Sequence, residues 1–109
     1  MIDLEILHRL QATLLERKGA EPGSSYVASL YAKGTDAVCK KVAEEAAETI
    51  MAAKDGDRLH LVREVCDLWF HSMVLLTQFE LGVDDVLVEL RRREGISGID
   101  EKRSRGPQP

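Results

Sequence analysis

From Arg58 to Leu81 the chain sets Leu61, Val65, Leu68, Trp69, Phe70, Met73, Val74, Leu75, Leu76 and Phe79 around a helical path, leaving little of its circumference polar. A helix that is apolar on nearly every side has to be enclosed by other helices. A chain of 109 residues buries only roughly 60 to 70% of its unfolded surface, so a second subunit is expected to complete the enclosure. Aromatic residues make up 5% of the sequence, which leaves Leu, Val, Ile and Ala to fill the interior and favours packed helices over a β-sandwich. The predicted fold is therefore all-α: a helical bundle with a central antiparallel helix hairpin, completed by homodimerisation.

The other elements follow from periodicity and capping. Leu4, Leu7, Leu10, Leu14 and Leu15 recur at three- and four-residue steps and predict a helix over residues 3–18, ending near Gly19 and Pro22. Ser24 or Ser25 is placed to cap a short helix carrying Tyr26, Leu30 and Tyr31, with Gly34 ending it. Thr35 is expected to cap a third helix from about Asp36 to Lys54, which closes at Asp55-Gly56-Asp57. After the apolar helix, Gly82 is a stop, and Asp84 is expected to cap a last helix with Val83 and Val88 as its staple. Arg91 to Arg93 finish that helix as end charges. Residues 1–94 thus form one domain. Residues 95–109, with three Gly, two Pro and little apolar content, are expected to be a mobile tail.

A formal charge of −4 disfavours a general nucleic-acid partner. No stretch reaches the ~18 uncharged apolar residues of a membrane span, and Asp3 and Glu5 interrupt the start where an export signal would need cations and then an apolar run. A cytoplasmic location is expected. Cys39 and Cys66 follow no metal spacing and are expected to be small core residues in a reducing compartment.

The acids of the third and fourth helices do not fit a packed hairpin. At about 100° per residue, Glu45 falls within about 20° of Val38, inside the apolar stripe, while Glu48 and Glu44 step away toward solvent. On the next helix, Glu64, Asp67, His60, His71 and Gln78 share one polar stripe. Glu48 is seven residues before Asp55 and Glu64 seven after Asp57, so folding the hairpin brings Glu45-x-x-Glu48 level with Glu64-x-x-Asp67. Four like charges in a partly dry volume repel unless a hard divalent cation neutralises them, and oxygen-only ligands select Mg²⁺ or Mn²⁺ over Zn²⁺. Lys40 and Lys41 lie one turn before the acids, Lys33 precedes the Gly34 turn, and Arg17-Lys18 end the first helix. Cations beside a carboxylate-held metal suit phosphates, which makes hydrolysis of a phosphoric anhydride the simplest enzymatic reading. His71 is read as a satisfied core histidine, and Trp69-Phe70 as core or interface.

Arg17-Lys18, Pro22, Ser25-Tyr26, Leu30, Lys33-Gly34, Lys40-Lys41-Val42, Glu44-Glu45-x-x-Glu48 and Glu64-x-x-Asp67-Leu68-x-x-His71 together resemble the phosphoribosyl-ATP pyrophosphatase family of histidine biosynthesis. The likeness continues through Glu89-Leu90-x-x-Arg93 and Ser97-Gly98 to Glu101-Lys102. The acid pairs alone are shared with the wider all-α nucleoside triphosphate pyrophosphatase (MazG-like) superfamily. The resemblance implies Mg²⁺-dependent hydrolysis of phosphoribosyl-ATP to phosphoribosyl-AMP and pyrophosphate by a homodimer. It implies Glu45, Glu48, Glu64 and Asp67 as metal ligands, with Glu44 a further ligand or the base that orients water. Arg17, Lys18, Lys33, Lys40 and Lys41 would contact phosphates, and Ser25 and Tyr26 the nucleotide. Two other readings compete: a house-cleaning dNTP pyrophosphatase using the same acids, and a non-catalytic helical dimerisation module.

Overall fold

The computed structural model describes residues 2–106 and contains six α-helices. These are α1 (Ile6–Arg17), α2 (Tyr26–Lys33), α3 (Thr35–Asp55), α4 (Arg58–Gln78), α5 (Val83–Arg93) and α6 (Gly98–Ser104), with a short 3₁₀ turn at Pro22–Ser24. The all-α prediction holds, and α3 and α4 form the central hairpin. Gly56 closes α3 in the left-handed conformation at φ 73°, its N–H donating to Ala53, and the Asp57 carboxylate caps α4 by accepting from the His60 N–H at 3.0 Å. A two-residue connection of this kind forces the helices antiparallel and adjacent.

The core lies at one end of this hairpin. Leu14 of α1, Val27 and Leu30 of α2, Val38 of α3, Met73 and Val74 of α4 and Val83 of α5 pack together, with Leu7, Leu10, Tyr31 and Phe70 against them. Toward the turn the hairpin has no such cover: Ile50, Met51, Leu59 and Val62 are each more than 60% exposed. The radius of gyration is 16.1 Å, against about 13 Å for a compact domain of this length, because this arm projects from the bundle. Trp69, 61% exposed, continues the same uncovered surface along α4, so the helix read as enclosed on all sides is not enclosed within one protomer.

Several local expectations are corrected. Helix α1 starts at Ile6 rather than residue 3, because the Asp3 carboxylate and carbonyl take the N–H groups of Glu5 and Ile6 in a turn that leaves Leu4 exposed. Thr35 is the first helical residue of α3 and caps nothing. Gly34, at φ 95°, serves both as the end of α2 and as the cap of α3, leaving no extended residue whose side chain could reach back. Helix α4 stops at Gln78: Glu80 sits at φ 59°, and the N–H groups of Glu80 and Leu81 return to Thr77 and Leu76 in a Schellman turn. Gly82, not Asp84, precedes α5, and the Asp85 carboxylate takes the Gly82 N–H. Asp84 instead pairs with His8 at 2.7 Å, and Val88 is too exposed to staple Val83. Cys39 and Cys66 are exposed rather than in the core.

The stretch expected to be a mobile tail carries α6. Ser97 caps it by accepting from the Asp100 N–H, and Glu101, 4% exposed, receives the guanidinium groups of Arg92 at 2.5 Å and Arg105 at 3.4 Å. Arg92 also pairs with Glu89 and so joins α5 to α6, a use of the end arginines that composition alone did not reveal. Residues 107–109 of the same stretch lie outside the described residues.

Candidate active site

The hairpin register puts Glu45 and Glu48, one turn apart on α3, opposite Glu64 on α4. One oxygen from each of these three carboxylates lies within 4.8 Å of the other two. Glu45 and Glu64 are buried and Glu48 is exposed, so the cluster is a slot walled by the two helices and open on the Glu48 side. Oε2 of Glu45 and Oε2 of Glu64 are enclosed without any hydrogen-bond donor. Such orphaned acceptors cost about 1 to 3 kcal/mol or more each, and packing does not require acids here. Oxygen atoms that are buried, converging and donor-free fit a hard divalent cation.

The electrostatics agree with that geometry. Burial, followed by the adjacent Glu64 carboxyl, pushes Glu45 up to about 7. Glu64 likewise raises Glu48, while Glu64 itself is lowered, first by its contact with Glu48 and further by Glu45 and His60. Carboxylates this close disfavour one another's charged form, and the two α3 acids hold their protons more tightly than free glutamates. Cationic relief is limited: Lys41 Nζ is 3.8 Å from Glu45 and 3.3 Å from Glu44, and His60 Nε2 is 3.1 Å from Glu64.

The structure brings together some of the sequence-predicted residues and separates others. Glu45, Glu48 and Glu64 converge, whereas Asp67 stands exposed at the rim, one turn along α4, near enough for its charge to raise Glu45. Glu44 is engaged with Lys41. Lys40 is exposed and about 140° around α3 from Glu45, on the far side of the helix. Lys18 donates to the Thr77 carbonyl at 2.7 Å and lines a cavity of about 330 Å³ with Gly34, Thr35, Tyr31 and Gln78. That cavity lies at the start of α3, about 15 Å along the helix from Glu45. Arg17 and Lys33 close α1 and α2. Among the described residues Lys41 is thus the one lysine in ion-pair range of the cluster.

Ser25 caps α2 by accepting from the Ala28 N–H at 3.0 Å, which fixes Tyr26 as the first helical residue. The Tyr26 hydroxyl lies 2.7 Å from His71 Nε2, and His71 Nδ1 lies 2.8 Å from the Asp67 carbonyl oxygen. His71 is 5% exposed with both ring nitrogens engaged, as read for a satisfied core histidine. Its link to Tyr26 was not foreseen. The available signal was its position four residues after Asp67, on the same face of α4.

The family profile described as phosphoribosyl-ATP pyrophosphohydrolase matches residues 7–94, from the first turn of α1 to the end of α5. The chain belongs to the phosphoribosyl-ATP pyrophosphohydrolase family. It is accordingly a hydrolase. A phosphoribosyl-ATP pyrophosphatase of Azoarcus sp. (strain BH72) is 78% identical over 105 residues, covering 96% of this chain and 98% of the relative. The protein of that name from Aromatoleum aromaticum is also 78% identical, over 96% of this chain and 97% of its own length. That of Chromobacterium violaceum is 65% identical over 94% and 95%. These alignments extend past the profile, so α6 belongs to what the relatives share in length. No helix among the described residues is long and apolar enough to cross a membrane.

Proposed function

We propose that this protein hydrolyses phosphoribosyl-ATP between its α and β phosphates, adding water to give phosphoribosyl-AMP and pyrophosphate in the second step of histidine biosynthesis in the cytoplasm. The observation that carries the reading is the carboxylate slot, with two buried, donor-free oxygens, in a chain whose relatives are named for this activity. Glu45, Glu48 and Glu64 would hold Mg²⁺, or Mn²⁺ in its place, with Asp67 joining from the rim. The cation would neutralise phosphate charge and lower the pKa of bound water.

The chain's own groups divide the remaining work. Lys41, within ion-pair distance of Glu44 and Glu45, would receive a phosphate oxygen, and Glu44 beside it would orient water. Lys18, Arg17 and Lys33 are assigned to the distal part of this long nucleotide, and the exposed Lys40 to a lesser role. The uncovered face formed by Ile50, Met51, Leu59, Val62 and Trp69 is assigned to a second copy of the chain, giving a homodimer.

The deciding assay is pyrophosphate release from phosphoribosyl-ATP compared with dCTP, dUTP and ATP, with and without Mg²⁺. Metal-dependent turnover of phosphoribosyl-ATP is expected. Turnover of a dNTP instead would overturn the substrate while keeping the slot, and absence of any turnover would remove the enzymatic reading. Light scattering at micromolar protein should return twice the mass of 12.2 kDa, and a monomer would refute the dimer.

A further inference from the structure

Tyr26, which the resemblance assigns to the nucleotide, forms with His71 a hydrogen-bonded pair beside the slot, and the direction of that bond is not used by any assigned role. A main-chain carbonyl can only accept, so the 2.8 Å contact with Asp67 places the imidazole proton on Nδ1. In the neutral ring Nε2 is then a bare acceptor, and the Tyr26 hydroxyl, 2.7 Å away, donates its proton to it. The ring cannot easily turn: it is 5% exposed and packed edge-on against Phe70 and Tyr26 at centroid distances of 5.3 and 5.8 Å. Redirecting the Tyr26 proton elsewhere would orphan a buried nitrogen. The phenol ring itself is half exposed, and its oxygen feels the charges of Lys41, Glu45, Glu44 and Asp67.

We propose that Tyr26 Oη presents only lone pairs to the site and accepts a hydrogen bond from an O–H donor of the reacting complex, with His71 a positioning residue that holds the phenol proton away. A phosphate oxygen, itself an acceptor, is then excluded from Tyr26. The donor is either the attacking water or a sugar hydroxyl of the nucleotide. This inference rests on the proposed reaction for its kinetic consequence, but not for its structural one.

The test has two parts. In ¹⁵N-histidine-labelled protein at pH 8, His71 is expected to show a protonated Nδ1 and a bare Nε2, and Tyr26→Phe to shift the Nε2 resonance. A proton on Nε2 would overturn the proposal whether or not the enzyme turns over. In kinetics, Tyr26→Phe and His71→Asn are each expected to lower kcat/KM about 10-fold, and the double variant to fall no further than the lower single. A fall confined to kcat identifies water as the donor. A rise in KM that is absent for the deoxyribose analogue identifies the sugar hydroxyl. Multiplying losses, or unaltered turnover in Tyr26→Phe, would overturn the pairing. Tyr26→Phe removes only a hydroxyl from a half-exposed ring, so it and the resonance decide the matter even where His71→Asn fails to fold. If the wild-type chain itself does not turn over, the proposed reaction fails and the ¹⁵N measurement still judges the pair.

Discussion

Replacing Glu45 with Gln is expected to stabilise the metal-free protein while removing its activity. Glu45 is 6% exposed, and its carboxyl is pushed from 4.5 to about 7 by burial and then by Glu64. At about 1.4 kcal/mol per pH unit this gap caps the cost of ionising it in the folded state at about 3 kcal/mol. Glu64 moves the opposite way and the slot is open to water at Glu48, so the net figure at pH 8 is about 1 to 2 kcal/mol. The sign follows from proton linkage. The folded state holds the Glu45 proton more tightly than the unfolded chain, so this contribution to stability is complete below about 4.5 and is lost as pH rises through about 7. Gln keeps the volume and does not titrate. The stability difference between Gln and wild type in EDTA should be near zero at pH 4.5, grow through neutrality and level off above it. At about 4 to 8 °C per kcal/mol for a domain of this size, the pH 8 Tm should rise by about 4 to 16 °C. Saturating Mg²⁺ should then raise the wild-type Tm and leave the Gln variant almost unmoved. A Gln variant less stable than wild type at pH 8, or a difference independent of pH, would refute the account of the slot as a set of mutually repelling acids.

Other perturbations separate the roles of neighbouring residues. Asp67→Asn and Glu48→Gln, both at exposed positions, should cut pyrophosphate release by about 100-fold or more with Tm nearly unchanged; parallel loss of Tm would make these acids structural. Lys41→Ala should raise KM for the nucleotide about 10-fold, whereas Lys40→Ala, on the opposite face of α3, should stay within about 2-fold; equal effects would refute the placement of Lys41. Glu80→Gly should stabilise by about 0.5 to 1 kcal/mol, because the Schellman turn holds Glu80 at φ 59°, where a side chain is strained. A lowered Tm would show that the turn does not impose this strain.

The hairpin and its acids were legible because they rest on short-range regularities. Asp55-Gly56-Asp57 marks a left-handed stop followed by a cap, and equal spacing on either side fixes which turns face each other. The wheel position of Glu45 then gives a buried acid without any tertiary information. What stayed hidden depends on geometry that spacing does not carry. Asp67 was placed in the cluster because it is three residues from Glu64, and its charge does reach Glu45, but its carboxylate is not among the three that converge. Composition made residues 95–109 a tail, but one Glu101 carboxylate taking the guanidinium groups of Arg92 and Arg105 is enough to seat a seven-residue helix. Apolar character argued for burial at Cys39, and the structure leaves it exposed.

The slot and the uncovered arm are connected. The acids sit where the hairpin leaves the core, between Val38 and Val74 on one side and Ile50, Met51, Leu59 and Val62 on the other. At that level an ordinary hairpin would place apolar pairs that hold α3 to α4. Here repulsion acts instead, and Ala52, fully buried, is the apolar residue of α3 that the arm encloses beyond the acids. A cation in the slot would draw α3 and α4 together and fix the apolar face that a second copy must match. Metal binding and dimerisation should therefore be coupled, each strengthening the other by the same factor. Sedimentation of dilute protein should show a dimer dissociation constant several-fold lower with Mg²⁺ than with EDTA, and Glu45→Gln should reproduce part of that tightening without metal. A dimer equally tight in EDTA and in Mg²⁺ would refute the coupling and leave the arm rigid by its own packing.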